Sequence, residues 1–255
     1  MHTPAAQLDL SALLHLRQSE LEEARNLQFS LLPDVPLKLD GLEFTARCRP
    51  AAAVGGDFLD YFPLSDQRVG VYIGDVVGKG LSAAMYAALT VGTLRGIHKT
   101  GCPPMTVLST LNRRLRTRPV PGRYSAVQYA AYDPGTRELL CANAGLPRPI
   151  HVSAAGCTEI GQGGLPSGLF YEALYEQWSV RLNPGDAMLF LTDGLIEAHD
   201  ADREEFGVPR VMEVCSHNLH SSAEDLLDRL FEAVLRFTHD EVQQDDLTAA
   251  LLKVE

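Results

Sequence analysis

Four aspartates sit where short apolar runs meet glycine-rich turns: Asp57 in VGGDFLDYF, Asp75 in YIGDVVGKG, Asp193 in LFLTDGLIEA and Asp245 in QQDDLTAALL. An ionised carboxylate beside a buried strand is costly unless a cation, a base or several donors compensate it. Singly, an aspartate next to glycine is most often an ordinary turn residue. Four of them at strand ends, with no Lys or Arg beside three, call for an added positive charge. Carboxylate oxygens with few His or Cys nearby suit hard cations such as Mg²⁺ or Mn²⁺ rather than zinc. Gly55, Gly56, Gly78 and Gly80 permit turns that bring main-chain groups close to such ions, and serve equally well in plain strand-to-helix turns.

Two other signatures in the same segments fail on inspection. GGDF lacks the acid directly after its aspartate that a nucleotide cyclase would carry, having Phe58 there. GDVVGKG is one residue short of a phosphate-binding loop between Gly74 and Gly78, and Gly80 stands where that loop needs Ser or Thr. His199 and His239 lie near the aspartates in sequence and read as surface or helix-end residues. The run Asn112, Arg113, Arg114, Arg116 and Arg118 reads as a solvated helix face, with docking of an acidic partner as the other reading.

The elements that must position these aspartates follow from periodicity. Leu8 to Leu32 has no internal Gly or Pro and stops at Pro33, which predicts one long helix. Its positions Leu10, Leu14, Arg17, Leu21, Ala24, Gln28 and Leu31 form a heptad-like seam broken by polar residues, suited either to a second helix or to the domain's own core. A Pro/Asp-rich link, LLPDVPLKLDG, leads into strands at 42–48, 58–62 and 69–77. A small-residue helix over 80–98 and a second helix opened by Pro103 and Pro104 come next. A hairpin around DPGT pairs 124–132 with 138–143. Strands at 149–152, 158–160, 175–182, 187–192 and 247–254 complete the pattern, with helices at 209–217 and 223–239 before the last. This order is not the regular alternation of a doubly wound parallel sheet, so an α+β domain with antiparallel sheets is expected.

The chain has 255 residues, 45% hydrophobic and 22% charged, enough for a sizeable core and too apolar for wholesale disorder. Its 33 acids against 22 bases give a net charge of −11, which argues against binding nucleic acid or an anionic membrane. Five scattered cysteines without CxxC spacing fit a reduced, cytoplasmic protein, and no stretch reaches the roughly 18 consecutive apolar residues of a membrane span.

The strings VGGDFLDYF, GDVVGKGLSAAM, ANAGLPRPI, NPGDAMLFLTDGLIEA and QQDDLTAALL, in that order, resemble the bacterial PP2C-type serine/threonine phosphatases of the SpoIIE/RsbU group within the PPM superfamily. ELEEARNLQFSLLP resembles that group's linker helix, so the likeness runs from about Glu20 to the end. It implies a PP2C-like αββα sandwich with two Mn²⁺ or Mg²⁺ ions at one end. Asp75 would bridge both ions, the carbonyl of Val76 and Asp57 would serve one, and Asp193 and Asp245 the other. Asp246 is adjacent, and the first acid of the pair is the one that matches the ligand. A water activated by the paired metals would be the nucleophile. Asn143 and Gly145 match the group's NAGH segment, yet Leu146 replaces the histidine, so no catalytic role is assigned there. Lys79 stands where many relatives carry His; contact with a substrate phosphate and simple solvation both stay open for it.

The resemblance further implies a phosphoserine/phosphothreonine protein phosphatase of a partner-switching or stress-signalling pathway. Its substrate would be a STAS-domain anti-anti-sigma factor. Residues 1–33 would form a regulatory or dimerisation helix, acting through an activating partner or a homodimer, and 34–255 the phosphatase domain. A catalytically inactive binding module that sequesters a phosphoprotein or an anti-sigma kinase is the alternative, although the full set of aspartates argues against it. A hydrolase of small phosphate esters is a weaker rival.

Overall fold

The computed structural model describes residues 10–33, 37–39, 41–64, 67–98, 101–239 and 241–255. The expected helix start at Leu8 and Asp9, and residues 34–36 and 40 of the link, lie outside them. The first helix, α1, spans Leu10–Phe29. Strands β1 (Leu37–Leu39), β2 (Leu42–Arg49), β3 (Phe58–Pro63) and β4 (Val69–Val76) precede helices α2 (Leu81–Ile97) and α3 (Pro104–Thr117). Strands β5 (Ser125–Asp133), β6 (Glu138–Ala144), β7 (Ile150–Ser153), β8 (Gly156–Glu159), β9 (Gln177–Arg181) and β10 (Ala187–Leu191) follow. The chain ends with α4 (Asp193–Ile196), α5 (Gly207–His217), α6 (Ala223–Phe237) and β11 (Leu247–Val254). Two elements depart from the sequence expectation. β1 forms inside the link, too short to show alternation, and α4 is a single turn directly after β10.

The strands form two sheets, ordered β1-β2-β11-β10-β7-β8 and β3-β4-β5-β6-β9. All neighbouring strands run antiparallel. Leu59, Val69, Val71, Ile73, Tyr132 and Leu139 of one sheet meet Phe44, Met188, Phe190, Ala250 and Leu252 of the other. On the outer face of the β3–β9 sheet, Tyr72, Val76, Val127 and Tyr129 pack under Ala83, Ala87, Val91 and Leu94 of α2 and Leu108 and Leu111 of α3. On the far face, Leu189, Leu191, Ala249 and Leu251 pack under Val211 and Cys215 of α5 and Leu226, Leu227 and Leu230 of α6. The architecture is therefore the αββα sandwich. It explains why β4 reads as an unbroken apolar run: successive residues face the inter-sheet core and the helix layer, and both faces are dry.

Local signals agree with this packing. Ser222 caps α6 by accepting from Asp225 N at 3.1 Å, and Glu224 and Asp225 in the first turn complement the helix dipole. Pro104 opens α3 where no amide donor is needed. α1 is different. Its residues 11–20 are all exposed, and only its C-terminal end docks, with Ala24, Gln28 and Leu31 facing Leu81, Ala84 and Met85 of α2 across an apolar groove. Arg95 of α2 ties that end down by donating to Leu31 O at 2.8 Å and to Asp60 Oδ2 at 2.8 and 3.0 Å. All five cysteines are free. Among the described residues, no helix is long and apolar enough to cross a membrane.

Antiparallel pairing decides where the aspartates go. Phe58, just after Asp57, pairs with Gly74, just before Asp75. β10 ends at Leu191, directly before Thr192 and Asp193, and β11 begins directly after Asp245 and Asp246; Leu191 pairs with Ala249. In each sheet a strand start and its neighbour's end therefore coincide, and the two sheets bring those ends together. Phe190 is 1% exposed and fills the space between the sheets. Phe190→Ala is expected to lower unfolding free energy by about 3–5 kcal/mol, measured by denaturant titration.

Candidate metal centre

The loop that carries Asp57 is held from behind by Asp246. Its Oδ1 accepts from Ala51 N at 2.8 Å, and its Oδ2 accepts from Gly56 N at 2.6 Å and Asp57 N at 3.3 Å. This approach requires glycine in front of it: a Cβ on Gly55 would lie 2.0 Å from Asp246 Oδ2. The two adjacent acids thus divide the labour. Asp246 is buried and occupied with main-chain donors, while Asp245 is half-buried and lines the open cleft. Gly194, the residue after Asp193, lets α4 sit against the pair, since a Cβ there would be 2.2 Å from Asp246 O and 3.1 Å from Asp245 Cβ.

Asp57 is only 3% exposed, and burial, then the charges of Asp75 and Asp246, push its carboxyl well above the usual carboxylate range. Thr192 Oγ1 donates to its Oδ2 at 2.8 Å. Asp75 is pushed up to about 7 by burial and by the charges of Asp193, Asp245 and Asp246, with a hydrogen bond from Asp57 acting the other way. Asp193 is raised by burial and by Asp245, and Glu197, one turn later, by burial and then by Asp193. The structure therefore brings Asp57, Asp75, Asp193 and Asp245 into one electrostatic neighbourhood. The carbonyl of Val76 joins it, because a Cβ on Gly56 would lie 2.7 Å from Val76 O and 2.9 Å from Asp75 Oδ1. Oxygen donors that repel one another and surround a glycine-lined space fit hard divalent cations. Among the described residues, no group of three or more His, Cys, Asp or Glu side chains stands close enough together, as placed, to hold a metal ion. The grouping is one of charge, and Asp245 is its member on the cleft wall.

Positive charge near the aspartates is sparse. Lys79 Nζ lies 3.2 Å from Asp245 Oδ2 and also donates to Gln244 O. Arg123 donates to Val77 O and, at 2.7 Å, to Ser82 Oγ, pinning the turn between β4 and α2. Gly78 has φ +94, and a Cβ there would meet Arg123 Nη1 at 2.2 Å. From the other side Gln28 of α1 grips Gly55 twice, its Nε2 donating to Gly55 O at 2.7 Å and its Oε1 accepting from Gly55 N at 3.0 Å. Sequence reasoning named neither Arg123 nor the use of Gln28, whose one visible trace is the polar break it makes in the apolar seam of α1.

The remaining candidates fall elsewhere. His199 bonds to Arg203 on the wall of a cleft of about 660 Å³ that opens beside Asp245 and Lys79, and His239 is exposed at a left-handed backbone position. Asn143 closes the turn to Leu146 with both its amide groups, its Nδ2 donating to Leu146 O and its Oδ1 accepting from Leu146 N. Asn112 is buried and leaves the basic face of α3 to the arginines. The division between Asp246 and Asp245 is testable by thermal and urea unfolding of the metal-free protein. Asp246→Ala should cost about 2–4 kcal/mol through orphaned buried amides, while Asp245→Ala should stay within about 1 kcal/mol of the unaltered chain.

With this geometry the chain can be set beside known proteins. It is 26% identical over 241 residues to the phosphoserine phosphatase RsbU of Bacillus subtilis, covering 92% of this chain and 70% of RsbU. The SiaA-PP2C domain of Pseudomonas aeruginosa superposes with a TM-score of 0.86 at 18% identity, covering 97% of this chain and 100% of that one. The RsbU and RsbW domains of Rv1364c from Mycobacterium tuberculosis give a TM-score of 0.74 at 29% identity over 88% of this chain, which spans 62% of that longer one. The family model described as Stage II sporulation protein E (SpoIIE) matches residues 65–255, three of the four clustered aspartates among them, and this chain belongs to the SpoIIE family.

Proposed function

We propose that this chain is a protein phosphatase that hydrolyses phosphoserine or phosphothreonine with the aid of two Mn²⁺ or Mg²⁺ ions. The observation that carries the reading is the grouping of four aspartates, three of them with carboxyls pushed upward by burial and by neighbouring acids, beside a cleft that Asp245 lines. Membership of the SpoIIE family and the likeness to a phosphoserine phosphatase support it.

Asp75 would bridge the two ions, Asp57 and the Val76 carbonyl would hold one, and Asp193 and Asp245 the other. When bound, the pair would lower the pKa of a water and screen the phosphoryl oxygens. The chain's own groups set the geometry. Asp246 and Gln28 fix the Gly55–Asp57 turn from two sides, and Arg123 fixes the turn that follows Val76. Thr192 orients Asp57 from the end of β10. Lys79, paired with Asp245 on the cleft wall, would meet a substrate phosphate that approaches through the cleft. The glycines hold no side chains that would fill the space the ions need.

The likeness to RsbU supports a pathway reading. A phosphatase resembling RsbU would act in partner switching, with a serine-phosphorylated STAS-domain protein as substrate. Residues 1–33 would form the regulatory helix and 34–255 the phosphatase domain. The apolar side chains Leu13, Leu14 and Leu16 on the undocked half of α1 support a helix that meets an activating partner or a second copy.

Phosphate release from a serine-phosphorylated STAS-domain protein is expected only with Mn²⁺ or Mg²⁺, and Asp75→Asn should reduce it at least 1,000-fold, within the range a lost metal-centre contact costs. Undiminished release in EDTA would end the reading. Deleting residues 1–20 should change the number of chains per particle measured by light scattering or the phosphatase rate; if both stay as they were, α1 has no regulatory role.

A further inference from the structure

The segment between β8 and β9 presents apolar side chains to solvent in a way the fold does not need. Leu165, Leu169, Phe170, Tyr171 and Leu174 are all exposed within ten residues, Tyr171 at 73% and Leu174 at 88%. Such a concentration is unusual on a protein that is otherwise strongly charged, and it marks a surface that something covers. The segment is also rigidly held. Ser167 and Ser125 exchange main-chain hydrogen bonds of 2.8 and 3.0 Å. Asn112 of α3, 2% exposed, accepts from Gly168 N at 2.8 Å and donates to Phe170 O at 3.0 Å. Gly168 has φ +90 and backs onto Tyr86 and Leu115, where a Cβ would come within 2.9 Å of the Tyr86 hydroxyl. Buried Ala173 and Tyr175 alternate with exposed Leu174, so the outward side chains are presented and not merely loose.

Its position ties it to the centre. Ser125, its anchor, is the register partner of Val76 on β4, one residue from Asp75. The patch therefore lies at the same end of the sandwich as the aspartates. The neighbouring charge is positive. The Arg116 guanidinium stacks 3.6 Å over the Tyr171 ring, and Arg113 and Arg118 are exposed on the same helix and its end, against Glu172 and Glu176 on the loop, while Arg114 turns toward Gly96 of α2. A basic, apolar surface on a chain of net charge −11 complements an acidic protein surface.

We propose that residues 165–174, with the arginines of α3, form the docking surface for the phosphoprotein substrate, contacting an apolar patch flanked by acidic residues on that partner while its phosphoserine reaches the aspartates. This rests on the phosphatase reading, and the two fail differently. Aromatic and arginine side chains of this kind supply most of the energy in protein interfaces.

The test compares the unaltered chain with the double variant Tyr171→Ser, Leu174→Ser on two substrates: a serine-phosphorylated STAS-domain protein that the unaltered chain turns over, and p-nitrophenyl phosphate. The docking surface requires KM for the phosphoprotein to rise at least tenfold, with kcat and the rate on p-nitrophenyl phosphate within twofold and the thermal midpoint unchanged. A second variant, Arg113→Glu with Arg118→Glu, should raise the same KM and flatten its dependence on salt. A phosphoprotein KM within twofold of the unaltered chain overturns the proposal. So does an equal loss on both substrates, which would place the loop's effect on the chemistry. Loss of binding to phosphatidylglycerol vesicles with the phosphoprotein KM unmoved would assign the patch to a membrane instead. If the unaltered chain hydrolyses neither substrate, the phosphatase reading itself has failed.

Discussion

Negative charge gathered in a poorly hydrated place is the constraint on which the rest of this structure turns. Asp57, Asp75 and Asp193 each have their carboxyl pushed upward first by burial and then by a neighbouring acid, and the nearest ammonium is Lys79, on Asp245. Left alone such a grouping opposes folding, because like charges in low dielectric raise one another's cost of ionisation. A fold that keeps it must hold the acids in place by other means, and the surrounding contacts do so. Local conflicts of this kind are expected where a structure is shaped for function rather than for stability.

The sandwich supplies the means economically. Antiparallel pairing brings the start of β3 beside the end of β4, and the end of β10 beside the start of β11, so four separate chain segments reach one point. Asp246 spends its carboxylate on three main-chain amides and fixes the turn of Asp57. Gln28 holds the same turn from α1, so the position of that helix is coupled directly to a proposed ligand as well as through α2. Docking through Leu31 and Arg95 holds the C-terminal end of α1 in place, while the other half of the helix is exposed. The apolar loop is anchored to Ser125, the register partner of Val76, so it too is joined to these strand ends.

Much of this was legible in the residues. Apolar patterning located ten of the eleven strands among the described residues, because a strand with one or two buried faces must write its burial into every second or every residue. β1 escaped because three residues at a sheet edge carry no period, and α4 because one turn is shorter than the repeat that reveals a helix. The four aspartates stood out since an acid at a buried strand end is conspicuous. Choosing Asp245 over Asp246 needed the family resemblance, as composition treats the two alike. Arg123 and the grip of Gln28 were invisible for a physical reason: their partners are main-chain atoms 46 and 27 residues away, and a bond to backbone leaves no mark on the identity of the residue it meets.

The central claim is that the aspartate grouping is a two-ion site. Calorimetric titration of Mn²⁺ into chelator-stripped protein tests it most directly, because it requires no knowledge of the substrate. The account predicts binding of two ions per chain, with Asp75→Asn removing both and Asp246→Asn leaving the stoichiometry at two. Absence of binding, or binding that survives Asp75→Asn unchanged, would contradict it.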